Sequence, residues 1–277
     1  MDARHRQQRE GVAISGRASP VVAISGVTKR FPNGTHALAP VDLDVRDGEF
    51  LTLLGPSGCG KSTLLNLIAG LIAPSGGAIE WWSGAFEAAA GAGRKLGFVF
   101  QSPTLMPWAR VHANVRLPLD LIGVERSTAD EAVARALELV ELREFARHFP
   151  RELSGGMQMR ASIARALVTS PDLLLMDEPF GALDEFTRQR LDIELLALWA
   201  AQRLTIVFVT HSIAEAVFLS TRVAVMAARP GRVLDTIEIA EPFPRSDAFR
   251  VSTNFARYAQ RLSHLIAQAG AEAAARQ

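Results

Sequence analysis

The 277-residue chain reads as an α/β fold, and three observations predict it. From Pro171 onward, short apolar strands alternate with longer helical stretches. The first third is β-rich, punctuated by Gly, Pro and Asn. Between the two lies a block whose pattern is helical throughout. With 48% hydrophobic and 21% charged residues, the composition is globular and sufficient for one large domain with appendages.

Residues 1–20, opening Met1-Asp-Ala-Arg-His-Arg, are polar and basic and read as a loose tail. They lack the apolar segment and small-residue cleavage site of a secretory signal. Strands are expected at 21–27, 41–45 and 50–54, with Phe31-Pro-Asn-Gly-Thr35 as turn chemistry and a helix opening near Lys61. Gly76-Gly77 and Gly91-Ala-Gly93 punctuate further strands at 78–82 and 96–100. Residues 112–149 turn helical, with Thr128-Ala-Asp-Glu131 as a capping box ahead of Val133, Leu137 and Val140. This block reads as an inserted helical subdomain of about 102–168. Strands follow at 173–176, 205–209, 223–226 and 232–239, the first three separated by helices. The main domain is therefore taken as 21–245. Residues 246–277 form a helical extension, rich in Ala, Arg and Gln, with little apolar content to anchor it.

Thirty Lys and Arg against 29 Asp and Glu give a formal charge of +1, which offers no broad field for nucleic acid. A single cysteine excludes an intramolecular disulfide and a cysteine metal cage. The six histidines show no i, i+4 pair, so no structural metal is expected. The longest apolar candidate for a membrane span, 195–209, is broken by Gln202 and Arg203.

Gly55-Pro56-Ser57-Gly58-Cys59-Gly60-Lys61-Ser62 fits the phosphate-binding pattern G-x-x-x-x-G-K-[ST], between a strand and a helix as the mechanics require. Loop N–H groups and the positive helix end cradle phosphates, Lys61 reaches the β- and γ-phosphates, Ser62 ligates Mg²⁺ and Thr63 donates to the α-phosphate. Leu173-Leu-Leu-Met-Asp177-Glu178 delivers two carboxylates at a strand's C-terminal end, where open α/β sheets bind ligands. Asp177 suits Mg²⁺, and Glu178 suits a general base; the bland alternative is an acidic turn. Leu153-Ser154-Gly155-Gly156-Met157-Gln158 by itself is consistent with a flexible helix cap.

Set between the phosphate loop and the acidic strand end, this last run resembles the signature sequence of ABC ATPases. Gln101, Gly181-Ala-Leu-Asp184 and His211 follow in that family's order, and the resemblance spans about residues 21–240. It implies a P-loop NTPase core of ABC-ATPase type, with an N-terminal antiparallel β subdomain and an inserted α-helical subdomain. It also implies ATP and Mg²⁺ as cofactors, and a head-to-tail dimer in which each ATP lies between one subunit's phosphate loop and the other's signature. Ser154, Gly155, Gly156 and Gln158 would then serve the opposite subunit's γ-phosphate, with Asp184 in the adjoining turn. His211 would contact the γ-phosphate in its own subunit. Gln101 would touch Mg²⁺ and the attacking water, and Phe31 would stack on adenine, or else simply pack its hairpin.

Met106-Pro107-Trp108, Glu178-Pro-Phe-Gly-Ala-Leu-Asp184 and Ala214-Glu-Ala-Val-Phe-Leu219 resemble the ATPase subunits of nitrate, sulfonate, taurine and bicarbonate importers. Ser212 departs from the Asp that this branch usually carries beside the histidine. The resemblance implies integral membrane permease subunits as partners, a solute-binding protein acting indirectly, and a peripheral position on the cytoplasmic face of the membrane. An export ATPase and a soluble non-transport ABC ATPase stay open as alternatives. The run 105–108 reads as partner-contact loop or core, and Trp81-Trp82 as the flank of a sheet. Cys59 sits at a helix N-terminal end beside Lys61, which lowers a thiol's pKa if the side chain is reachable; the alternative is a small buried residue chosen for fit.

Overall fold

The computed structural model describes residues 20–181 and 183–275. The tail expected over residues 1–20 lies, apart from Pro20, outside them. The strands are β1 (Val22–Arg30), β2 (His36–Val45), β3 (Phe50–Leu54), β4 (Gly76–Trp81), β5 (Leu96–Val99), β6 (Leu173–Asp177), β7 (Thr205–Thr210), β8 (Arg222–Ala227) and β9 (Arg232–Glu238). The α-helices are α1 (Lys61–Ile68), α2 (Phe86–Gly91), α3 (Val111–Leu121), α4 (Arg126–Leu139), α5 (Gly155–Leu167), α6 (Glu185–Gln202), α7 (Ile213–Leu219), α8 (Asp247–Arg250) and α9 (Thr253–Ala275).

A six-stranded sheet of order β5-β6-β7-β3-β8-β9 forms the centre, parallel except for β9 against β8. Its inner strands are buried on both faces, which is why Phe50–Leu54 shows no polar–apolar alternation and carries four apolar residues around the buried Thr52. Successive side chains leave a strand on opposite faces. Thus Phe50, Leu174, Met176, Ile206 and Phe208 join the core beneath the helical layer, whereas Leu51, Leu53, Leu173, Leu175, Val207 and Val209 pack with α1 and the small sheet. Each such Leu, Val or Phe contributes about 1.5–3 kcal/mol by leaving water.

The small sheet, β2-β1-β4, is antiparallel and covers that second core. Arg222 at the start of β8 ties it on: Nε donates to Glu49 Oε1 at 2.7 Å and Nη1 to Asp44 Oδ1 at 3.0 Å. Trp81 closes β4 by donating from Nε1 to the Ile68 carbonyl at 2.8 Å, while Arg94 lies over the Trp82 ring. Trp81 is thus the last residue of the small sheet's β4 strand, and Trp82 flanks it.

Three features differ from the sequence reading. Residues 86–91 form a short helix between the glycines. Helix α4 begins at Arg126, capped by Glu125, whose carboxylate accepts from the Ser127 and Thr128 N–H groups, so Thr128 lies in the first turn and caps nothing. The C-terminal extension is well anchored: Phe255, Tyr258, Leu262, Leu265 and Ile266 of α9, with Phe249 of α8, belong to or pack on the main core. Arg250 of α8 pairs with the buried Asp192 of α6 at 2.8 Å and lies over the Phe218 ring.

Candidate active site

The parallel register aligns strand ends on one edge. Leu54 is paired with Thr210, Asp177 with Val209, and Val99 with Met176, so the segments that follow β3, β7, β6 and β5 emerge side by side. Those segments carry the phosphate loop, His211, Glu178 and Gln101 respectively. Sequence positions that span more than 150 residues therefore meet at the carboxyl edge of the sheet.

The loop 55–62 is shaped by close backbone approach. A Cβ on Gly55 would stand 2.5 Å from the Met226 carbonyl oxygen, and one on Gly60 would stand 2.6 Å from Leu38 Cδ2. Gly60 also has φ +91°, a left-handed conformation that only glycine adopts freely. The loop leads into α1, whose start carries no side-chain cap; its first-turn N–H groups, from Lys61, Ser62 and Thr63, are donors available to an anion. Ser57 and Gly58 are exposed at the rim and Pro56 is half-buried.

Lys61 is buried at 4% exposure. Its Nζ donates to the Gly55 carbonyl at 2.8 Å and the Pro56 carbonyl at 3.1 Å, and lies 3.5 Å from Glu178 Oε1. Ser62 Oγ donates to Asp177 Oδ1 at 2.9 Å, joining a hydroxyl and a carboxylate oxygen from two elements. Burial pushes the Asp177 carboxyl above its ordinary pKa, against the Ser62 hydrogen bond, and neighbouring Glu178 adds to the rise. Glu178 has φ +43°, an uncommon conformation for a residue with a side chain. Its Oε2 stands 3.1 Å from His211 Nδ1. The structure thus brings Lys61, Ser62, Asp177, Glu178 and His211 together. Gln101 is exposed in the turn beyond β5.

Cys59 departs from the reactive reading. It is fully buried, and burial pushes its thiol pKa up, with Lys61 pulling only partly the other way. The side chain lies beneath the loop, where Sγ would be 2.8 Å from a Cβ on Gly55. It is a packing residue.

Ser154 caps α5, its Oγ accepting from the Met157 N–H at 3.3 Å, and both Ser154 and Gly155 are exposed. Gln158 Nε2 donates to the Leu153 carbonyl at 3.2 Å. Gly156 packs against the following helix, since a Cβ there would meet Thr187 Cγ2 at 3.0 Å. Asp184 caps that element, α6, through the Thr187 N–H at 3.0 Å, and this hydrogen bond holds its carboxyl below the ordinary pKa. The run 153–158 therefore opens a helix whose first residues, Ser154 and Gly155, are exposed.

Phe31 lies half-exposed just after β1, with Lys29 Nζ 5.3 Å from its ring centre. The hairpin that bears it touches the loop through Leu38 against Gly60. Residues 105–108 form a partly exposed loop. Buried Asn114 holds it by accepting from the Met106 N–H and donating to the Met106 and Ala109 carbonyls, while Trp108 stands 76% exposed.

One residue of this edge escaped the sequence reading. Glu215, 4% exposed, accepts from the Thr210 hydroxyl, and Thr210 Oγ1 accepts from the Ser212 N–H at 2.9 Å. The signal was present in Ser212-Ile-Ala-Glu215, the spacing of a capping box. Ser212 does cap α7, accepting from the Glu215 N–H at 3.3 Å. Serine and aspartate both serve as N-caps, so Ser212 fills the local role of the Asp expected there.

A phosphate loop joined to an acidic strand end, on the carboxyl edge of a parallel sheet, defines an ATP-hydrolysing cassette of the P-loop class. The ABC transporter family model matches residues 38–181. An ATP-binding protein of Brucella abortus (strain 2308) is 44% identical over 247 residues, covering 89% of this chain and 94% of the relative. The taurine import ATP-binding protein TauB of Rhizobium johnstonii is 49% identical over 210 residues, 76% of this chain and 79% of TauB. The aliphatic sulfonates import ATP-binding protein SsuB of Bacillus licheniformis is 44% identical over 212 residues, 76% of this chain and 81% of SsuB. Among solved structures, a dimeric bacterial ABC transporter cassette superposes with TM-score 0.70 at 33% identity, covering 80% of this chain and all of that one. A dimeric post-hydrolysis cassette bound to ADP and Pi superposes with TM-score 0.69 at 32% identity, again covering 80% and all. The chain belongs to the ABC transporter family and is its ATP-binding, ATP-hydrolysing subunit.

Proposed function

We propose that this cassette powers import of a small sulfonate- or taurine-type solute, working as a head-to-tail pair beneath integral membrane permease subunits and supplied by a solute-binding protein. The observation that carries the catalytic part is the contact of Glu178 with both Lys61 and His211. The solute class rests on the likeness to TauB and SsuB.

In this reading, loop N–H groups and the start of α1 receive the phosphate chain, and Lys61 neutralises the β- and γ-phosphates. Two of the three Lys61 protons already go to loop carbonyls, which fixes the ammonium at the loop's centre. Phe31 offers a face to adenine. Glu178 takes the proton of the attacking water, and His211, at hydrogen-bond distance, orients that carboxylate and contacts the γ-phosphate. The Ser62–Asp177 pair supplies hard oxygen donors of the kind Mg²⁺ takes, with Gln101 as a third. Mg²⁺, when bound, would neutralise charge developing on the phosphate oxygens.

The exposed helix start at Ser154, with Gly155, Gly156 and Gln158, would present N–H groups to the partner subunit's γ-phosphate. The dimeric cassettes to which this chain is similar support that pairing. Trp108 and Phe100, on the segment that carries Gln101, are exposed apolar side chains suited to a permease. Among the described residues no helix is long and apolar enough to cross a membrane, so a peripheral place on its cytoplasmic face would come through that contact. A strain lacking this gene tests the reading: it should lose growth on taurine or alkanesulfonates as sole sulfur source and regain it with the wild type but not with Glu178→Gln. Growth restored by the inactive variant would overturn it.

A further inference from the structure

The peptide on each side of His211 is held to one buried carboxylate. Thr210, immediately before it, donates its hydroxyl to Glu215 Oε2. Ser212, immediately after it, donates its N–H to Thr210 Oγ1 at 2.9 Å. The capping box thus closes through the Thr210 hydroxyl and not directly between Glu215 and the cap N–H, and His211 sits at the apex of the closed turn.

Glu215 is not isolated in the interior. Arg188 Nε stands 3.4 Å from Glu215 Oε1, and Arg188 Nη2 donates to the Leu183 carbonyl at 3.0 Å. Arg188 lies one turn into α6, the helix that Asp184 caps. A buried carboxylate left without its partners is costly, so a site this deep holds its geometry firmly. His211 itself is exposed, with Nδ1 3.1 Å from Glu178 Oε2, so its ring direction depends on the turn beneath it.

We propose that Glu215 is a positioning residue for hydrolysis: with Thr210 it fixes the turn that aims His211 at Glu178, and through Arg188 it couples that turn to the helix opening at Asp184. This rests on the catalytic reading above. A group that acts by orientation alters turnover while leaving the phosphate loop, and hence nucleotide affinity, intact.

The test uses the full chain with Glu215→Ala, Glu215→Gln, Thr210→Val and, as a control, His211→Ala. Each is assayed for kcat and KM with ATP-Mg²⁺, and the imidazole ¹³C resonance of His211 is followed by NMR, assigned by its loss in His211→Ala. Glu215→Ala and Thr210→Val should lower kcat about tenfold or more with KM within about twofold, and should displace or broaden the His211 resonance. Glu215→Gln keeps an oxygen that accepts from Thr210, and should recover most of the rate and the native resonance. Thr210→Val also guards against a Glu215→Ala chain that fails to fold, since valine matches threonine in shape. Wild-type turnover with an unmoved His211 resonance in Glu215→Ala and Thr210→Val, beside an inactive His211→Ala, overturns the positioning role alone. Parallel loss of KM, kcat and melting temperature with His211 unmoved marks a merely structural residue and overturns it too. A wild type that hydrolyses no ATP sinks the catalytic reading itself, and a fully active His211→Ala removes the role of His211 and the positioning of it together.

Discussion

His211 Nδ1 and Glu178 Oε2 lie 3.1 Å apart, joining the ends of two neighbouring parallel strands. Since Lys61 reaches the other oxygen of the same carboxylate at 3.5 Å, Glu178 is held from two sides. Glu178→Gln preserves shape and removes the carboxylate proposed as the base. Hydrolysis should fall about 10²- to 10⁴-fold, and the variant should accumulate as an ATP-bound dimer on sizing with ATP-Mg²⁺. An active variant, or one that stays monomeric with ATP, would count against this assignment.

The trans role proposed for Ser154 permits a mixing experiment. Lys61→Ala should lose nucleotide-dependent pairing from the phosphate side, while Ser154→Arg should bind ATP as a monomer and fail to pair. A dimer of one variant with the other holds one intact composite site and one doubly damaged site, so ATP-dependent pairing should partly return. If neither variant alters pairing, the role given to residues 153–158 is wrong.

Burial of Cys59 predicts a slow thiol. Maleimide should label the folded chain far more slowly than the denatured chain, with ATP making little difference, as read by mass spectrometry. Cys59→Ser should retain ATPase activity and lose about 1 kcal/mol or more of stability, because its hydroxyl enters an apolar site. Rapid labelling that ATP blocks would return Cys59 to the mouth of the loop.

Asp192 gives stability a pH dependence. Burial raises its carboxyl to about 7 from 3.8, against the pull of Arg250, so the folded chain binds this proton more tightly than the unfolded one. Its contribution is complete below about pH 3.8 and is lost as pH rises to about 7, at up to about 1.4 kcal/mol per pH unit. Asp192→Asn should therefore flatten the fall in melting temperature between pH 4 and 7 relative to the wild type. Equal slopes in calorimetry would remove Asp192 as the source.

The catalytic edge was legible because its signals are local. A buried run at 50–54, four apolar residues around Thr52, then glycines and Lys61, specify strand, loop and helix within a dozen positions. The register of the sheet does the rest, since parallel strands with aligned ends bring separate loops to one line. What stayed hidden depends on distant partners or on rare choices. Glu125 accepts from the Ser127 and Thr128 N–H groups and so opens α4 three residues before a Thr128 cap would, a role in which Glu is uncommon. In α9, Phe255, Tyr258, Leu262 and Leu265 form a stripe at helical spacing that the Ala- and Arg-rich composition dilutes. Burial of Cys59 follows from Gly55 and Met226, and Met226 is remote in sequence.

The left-handed backbone at Glu178 sets endurance against activity. A side chain at φ +43° costs roughly 1–2 kcal/mol relative to an ordinary conformation, a penalty glycine escapes. Its charge further burdens Asp177, one residue before it. A lineage screened for heat resistance alone would drift toward glycine at this position and, on the role proposed for Glu178, arrive at a sturdier, inert cassette. Thermostabilisation of this chain therefore has to hold residue 178 fixed while the rest of the sequence is free to move.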